Sequence, residues 1–441
     1  MPLPRGTPLA TPATAWRMTA APAPAAPQTR AADHLAPLDG LRGIAIALVV
    51  WYHLWLITWL AADVHVLGQT YNFNVFPETG FVGVDLFFFI SGFVLFYPYA
   101  MTLFDGRPQQ SLGIFAYRRM LKIVPSYYLS IALFIALGLT HFDSFGEGVR
   151  QVLAHAFFIH DWFDETAGGI NGVLWSLAVE VQFYVLFPAI CWAFMRRPVW
   201  TAAALIVLAN VYRVVVWHHP DVGREIDRLP GVIDLFAVGM LCAWSYRAIA
   251  VRAPKLASRR WLWTAIALLG FVLAYLSLWH SFVHRSDAEW ETGWKVYQRP
   301  ELDLAFIPAA LGSLFAFPAW QRALANPALV FLSLISYNLY LWHQALAFAT
   351  YNARVPNWIG SDPHADHTWG VPFTIVALAF GVAVAWLITV TVEQPLLRRR
   401  PFQSYFAKIG AARPILRSGR HSPPIPAPAL AGPMLQAPQE D

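Results

Sequence analysis

Ten separate stretches of this sequence are apolar over about the length of a bilayer crossing, and no soluble core could take them all in. They run over residues 41–62, 82–104, 120–140, 173–195, 199–217, 229–247, 261–280, 301–317, 328–350 and 370–392. A helix needs ~20 mostly apolar residues to cross ~30 Å of hydrocarbon. Two of the ten are weaker than the rest, because 229–247 holds Asp234 and 301–317 holds Asp303. Composition agrees with the count. Charged residues make up 13% of the chain, with 20 Trp and 31 Phe, against the ~25% charged residues of a soluble domain. Mean hydropathy is +0.46. The expected fold is all-α: a polytopic transmembrane helical bundle of about ten helices.

The lysines and arginines orient it. With the N-terminus inside, 23 of the 31 fall in inner segments and 7 in outer loops, while Arg213 lies within a span. The loop at 63–80 has none. An excess of Lys and Arg marks the cytoplasmic side, so both ends are expected inside, in the inner (plasma) membrane. The net charge of +5 therefore reads as topology, and no nucleic-acid partner is expected. Cys191 and Cys242 lie within apolar runs and read as small packing residues. Residues 1–33, rich in Ala, Pro and Thr without a continuous apolar segment, read as a disordered leader. Residues 34–400 form the membrane domain, and 401–441 a basic, then Pro/Ala-rich, disordered tail.

Ionisable groups inside a span cost at least ~2.5 kcal/mol by insertion scales, so each needs a reason. Arg42 and His53 are eleven positions apart on the first helix, which returns them to nearly the same face with His53 roughly 16 Å deeper. That face carries a cation at its mouth and an imidazole inside. A snorkelling Arg and a His satisfied by a neighbouring helix would explain the pair without function; a His that takes and returns a proton would explain it with function. Counted from the outer end of each span, His53 lies about 13 Å down, Glu180 and His343 about 10 Å, Asp234 about 8 Å, Asp85 and Arg213 about 6 Å. These groups suggest a polar layer lining a cavity in the outer half of the membrane.

Spacing ties some of them together. Ser176, Glu180 and Tyr184 share one helix face, and Ser336, Tyr340 and His343 another. Interhelical hydrogen bonding is the simpler role for the two tyrosines; Glu180 is open between catalysis and structural pairing. Ser91 lacks a nucleophile elbow and stands beside Gly92, which favours close helix packing. Glu393, at the inner end of the last helix, is expected to pair with an inner-face Arg. No metal-ligand spacing occurs among the histidines, so no metal is expected.

Six segments, in order, resemble the signatures of the acyltransferase 3 family: PLDGLRGIAIALVVWYH (37–53), GVDLFFFISGF (83–93), RRMLKIVPSYY (118–128), LWSLAVEVQFYVLFP (174–188), SYNLYLWH (336–343) and EQPLL (393–397). In the family an Arg and a His with ten residues between them open the first helix, as Arg42 and His53 do here. One departure is Lys122, at the third basic position of the RRxxR-like element, which keeps the charge but loses the bidentate fork of Arg.

The resemblance implies a membrane-bound O-acyltransferase. It would move an acyl group, usually acetyl, from cytoplasmic acyl-CoA to a hydroxyl of an envelope polysaccharide, glycolipid or small-molecule acceptor. Acyl-CoA would be a co-substrate, with no tightly bound cofactor. His53 would be the general base, with Arg42 binding donor or orienting the site, and Glu180 assisting. Arg118, Arg119 and Lys122 would hold the CoA phosphates, although ordinary positive-inside retention also accounts for them. Asp85, His343 and Asp234 would face the acceptor. The alternative is a transporter or flippase of a glycan or lipid-linked substrate, with the polar layer as its pathway. The acceptor itself is not legible.

Overall fold

The computed structural model describes residues 35–286, 293–360, 362–366 and 368–399; the expected leader and tail lie outside them. Each of the ten apolar stretches is helical. The long helices are α1 (Ala36–Thr58), α2 (Val82–Asp105) and α3 (Leu112–Ala136). After an amphipathic α4 (Phe145–Ala156) come α5 (Trp175–Arg196), α6 (Pro198–Val216) and α7 (Leu229–Arg252). The last four are α8 (Arg260–Val283), α9 (Arg299–Phe315), α10 (Pro327–Asn352) and α11 (Gly370–Ile388), which runs on through Thr389–Glu393 to Arg399. One short antiparallel hairpin, Asp63–Val66 with Gln69–Asn72, follows α1.

Local chemistry sets the ends. Pro37 stands in the first turn of α1 and Trp59, at φ 48°, closes it, so the helix lies about a turn earlier than the expected 41–62. Ser111 caps α3 by accepting from the Ile114 N–H (3.2 Å), so the helix begins at Leu112, eight residues before the expected start. Gly106, at φ 67°, ends α2 in the left-handed conformation common after helices. Asn326 caps α10 through the Leu329 N–H (3.0 Å), with Pro327 in the first position.

Eight helical segments among the described residues are long and apolar enough to cross a membrane. The pair Trp294–Phe315 and Pro318–Leu324, bent by 119°, makes a ninth if taken as one span. By length and apolarity alone the count is thus one or two short of the ten helical stretches. The helix that drops out is α10, which has 26 residues but carries Ser333, Ser336, Asn338, His343 and Gln344. Its polar groups sit against protein: Ser336, Asn338 and His343 are all buried. A helix screened by its neighbours does not need a lipid-soluble surface.

The chain is thus a helical polytopic membrane bundle. Helices α2 and α7 are its interior, and α6, α8 and α11 expose rows of Val, Leu, Ile and Trp, the apolar belt that lipid requires. Gly92 on α2 and Gly239 on α7 let the two inner helices touch: a Cβ on Gly92 would collide with the backbone of Phe236, and one on Gly239 with that of Phe89. The basic helix ends gather at one end of the bundle. Arg247 pairs with Asp105, Arg252 lies over the Phe104 ring, and Arg260 donates to the Ala316 carbonyl (2.9 Å). We refer to this as the basic end and to the opposite one as the far end.

Candidate active site

Helices α1 and α10 run side by side, and a histidine of each meets the other at mid-depth. His343 Nε2 lies 3.1 Å from His53 Nδ1, with the rings edge to face at 4.8 Å between centroids. His53 Nδ1 is also 2.8 Å from the Val49 carbonyl. His343 Nδ1 is 3.0 and 2.9 Å from the carbonyls of Leu339 and Tyr340. A carbonyl only accepts, so each Nδ1 carries a proton. In the neutral pair, His343 Nε2 is then an acceptor facing the His53 Nδ1–H, and His53 Nε2 keeps its lone pair. The imidazole that the spacing on α1 singled out is therefore held in the tautomer a general base needs.

Beside this pair a narrow cavity of about 40 Å³ runs between α1, α2, α5 and α10, with Arg42, Ser91, Glu180, Ser336, Tyr337 and Tyr340 among its lining. His343 touches it through the Tyr340 ring (5.9 Å between centroids). Glu180 Oε1 accepts from the Ser91 hydroxyl (2.8 Å) and from the Tyr184 hydroxyl. Ser176 and Tyr340 share a hydrogen bond of 2.6 Å across α5 and α10. Tyr340 thus has the interhelical bonding role expected of it, whereas the bond of Tyr184 stays within α5. Ser91 is a partner of Glu180, beside the Gly92 that packs against α7.

The basic end divides. Arg119 stands 5.8 Å from the Tyr184 ring centroid, close to Glu180, while Arg118, one position before it, is exposed. Lys122 pairs with Glu393, whose other oxygen accepts from the Asn338 amide (2.8 Å), itself bonded to Thr389 (2.9 Å). Glu393 therefore pairs with a lysine rather than the expected arginine. The reason is register: the turn Thr389–Glu393 brings it against α3 and α10, where Lys122 is the cation in reach.

Asp85 and Asp234 fall into a separate network on α2, α6, α7 and α9. Arg213 Nη2 donates to both oxygens of Asp234 (2.7 Å each), and its Nε donates to the Gly231 carbonyl (2.7 Å). Arg299 meets Asp85 at 3.5 Å and Asp227 at 2.8 Å, and Lys295 meets Asp227 at 2.7 Å. Asp303 is buried in the same network. The structure therefore joins His53 to His343 and puts Arg42 and Glu180 on the walls of one cavity, but sets Asp85 and Asp234 among ion pairs. Sequence reading counted Lys295 and Arg299 as outer-loop cations. The signal missed was that acids inside spans require partners, and these two were the nearest cations in sequence to Asp303.

Comparison with known proteins bears on this arrangement. A family profile described as an acyltransferase domain matches residues 35–390, a stretch that includes both histidines, the cavity and most of the basic end. This chain belongs to the acyltransferase 3 family. Among its relatives in that family is the peptidoglycan O-acetyltransferase OatA of Listeria monocytogenes, 24% identical over 344 residues, covering 71% of this chain and 49% of the relative. The O-acetyltransferase OatA of Staphylococcus aureus is 23% identical over 330 residues, covering 70% of this chain and 50% of the relative. The chain spans about half the length of these relatives. No solved structure matches it.

Proposed function

We propose that this family member is a membrane O-acyltransferase that moves an acyl group, typically acetyl, from acyl-CoA to a hydroxyl of an envelope glycan. The observation that carries the reading is the His53–His343 pair beside a narrow cavity that begins at Arg42. His53 Nε2 takes the proton of the acceptor hydroxyl as its oxygen attacks the thioester carbonyl. The C–S bond then breaks and the proton passes to the departing CoA thiolate. While His53 is cationic, its Nδ1–H donates to His343 Nε2, so His343 orients and stabilises the base as the third member of a triad does.

The basic end is the donor side and faces the cytoplasm, with both termini inside and the chain in the plasma membrane. Arg42 and Arg119 hold the CoA phosphates. The slender acyl-bearing arm enters between α1, α2, α5 and α10, towards the imidazole roughly 16 Å beyond Arg42. Peptidoglycan is in the name of one relative, and an envelope polysaccharide is the acceptor class we assign. Mass spectrometry of envelope glycans from a deletion strain tests this. Loss of ester-linked acyl groups, restored by the wild-type allele, is expected; an unchanged pattern would point to another acceptor or to transport.

A further inference from the structure

At the far end, the loop between α4 and α5 and the segment before α7 enclose a second opening of about 480 Å³. It is more than ten times the size of the cavity at Arg42. Asp161, Trp175, Arg224 and Arg228 are on its walls. Its floor adjoins the reactive pair. Asn171 donates to the Leu341 carbonyl (2.9 Å), and a Cβ on Gly172, also on the wall, would lie 3.2 Å from the Gln344 side-chain oxygen. Both contacts fall on the turn of α10 that carries His343. Trp175 meets the Phe88 ring edge to face (6.2 Å), and Phe88 lines the narrow cavity.

The cleft is built, and one of its groups is incomplete. Asp161 is 3% exposed. Its Oδ1 accepts from the Gln182 amide (2.8 Å), while its buried Oδ2 has no hydrogen-bond partner. An ionised oxygen left bare in that setting costs more than a neutral one. Burial pushes this carboxyl up to about 6, against the smaller opposing effect of Gln182. Arg228 is a brace, held by Glu225 (2.6 Å) and by the carbonyls of Asp161 and Trp162 (3.1 Å each). Arg224 is tied to the exposed Asp164 and Asp221. Asp227 also lines the cleft, and two acids against two arginines leave little net charge, which disfavours a polyanion.

We propose that this cleft is the acceptor subsite and takes an uncharged carbohydrate: Asp161 accepts a hydrogen bond from a sugar hydroxyl, and Trp175 packs against the C–H face of the ring. The assignment rests on the acyl-transfer reading above. It places the bulky acceptor in the wide opening and the slender thioester arm in the narrow one, with the histidines between.

The test uses the full chain in detergent, with chitotetraose, maltotetraose and an oligogalacturonate as probes in saturation-transfer NMR. A neutral oligosaccharide is expected to bind. Asp161→Asn, which can still accept from Gln182, and Trp175→Ala are each expected to weaken it about tenfold or more. Trp175→Phe, which keeps an aromatic face, is expected to retain most binding, and His53→Ala all of it. Binding that survives both Asp161→Asn and Trp175→Ala overturns the assignment, as does preference for the anionic probe or binding of none of the three. His53→Ala that binds sugar and still transfers acyl groups would remove the general base but leave the cleft.

Discussion

His343 Nε2 and His53 Nδ1 are 3.1 Å apart although 290 positions separate the residues in the chain. Each ring is also anchored to the carbonyl of its own helix. Removing His343 should leave His53 in place but free to turn. His343→Ala is expected to lower kcat about 10²-fold, within the range of an orienting partner, with KM for acyl-CoA unchanged. Steady-state kinetics on membrane vesicles checks it; a change confined to donor KM would place His343 in donor binding instead.

Lys122 and Glu393 separate structure from donor binding. Glu393 is 4% exposed, and its pair with Lys122 joins α3 to the last turn of the chain's membrane region. Breaking a buried pair by removing one member costs ~3–5 kcal/mol, whereas replacing both is milder. Lys122→Met and Glu393→Leu should each lower the melting temperature in detergent, and the double variant should recover part of the loss. The double variant should keep donor KM within a few-fold, while Arg119→Ala should raise it about tenfold.

Arg213 and Asp234 make a pair that is 0% and 1% exposed. Asp234→Asn or Arg213→Met leaves an uncompensated charge or a broken fork and is expected to cost ~3–5 kcal/mol. Thermal unfolding measures this. A selective rise in acceptor KM at unchanged stability would return Asp234 to the acceptor role that its depth in the sequence suggested.

The positions of these groups were legible to different extents. Arg42 and His53 could be read because one helix carries both, and helical periodicity fixes their relative face. Glu180 with Tyr184 was legible for the same reason. The partner of His53 was not, because which helices lie side by side depends on small-residue contacts such as Gly92 against Phe236. Depth alone put Asp85 and Asp234 with His53, since depth says nothing of azimuth around the bundle. Helix α10 shows the converse limit. It reads as a span by length, while its polar residues make sense only once its neighbours cover them.

The loop at the far end should respond to acid. His155 and His160 are buried and stacked, 3.8 Å between centroids, and burial lowers them to about 4 and about 3. The folded loop resists protons that the unfolded chain takes up at 6.5. Their contribution is therefore complete above pH 6.5 and is lost as pH falls from 6.5 through 4 and 3. Asp161, raised to about 6, acts in the opposite sense and regains stability as pH falls from 6 towards 3.8. At pH 5 the histidines cost about 2 kcal/mol each and Asp161 returns about 1. Hydrogen exchange over 155–174 should accelerate between pH 7 and 5 after correction for intrinsic rates, and His160→Phe should reduce the effect.

The role of His53 is tested most directly by transfer of label from [¹⁴C]acetyl-CoA to envelope glycan prepared from the deletion strain. Vesicles carrying the wild-type chain are compared with vesicles carrying His53→Gln at equal protein content. Gln keeps a donor amide near Val49 and His343 but holds no exchangeable base. Transfer is expected to fall by about 10³-fold or more, with the variant's melting temperature close to wild type. Transfer at the wild-type rate by the folded His53→Gln chain would contradict that role.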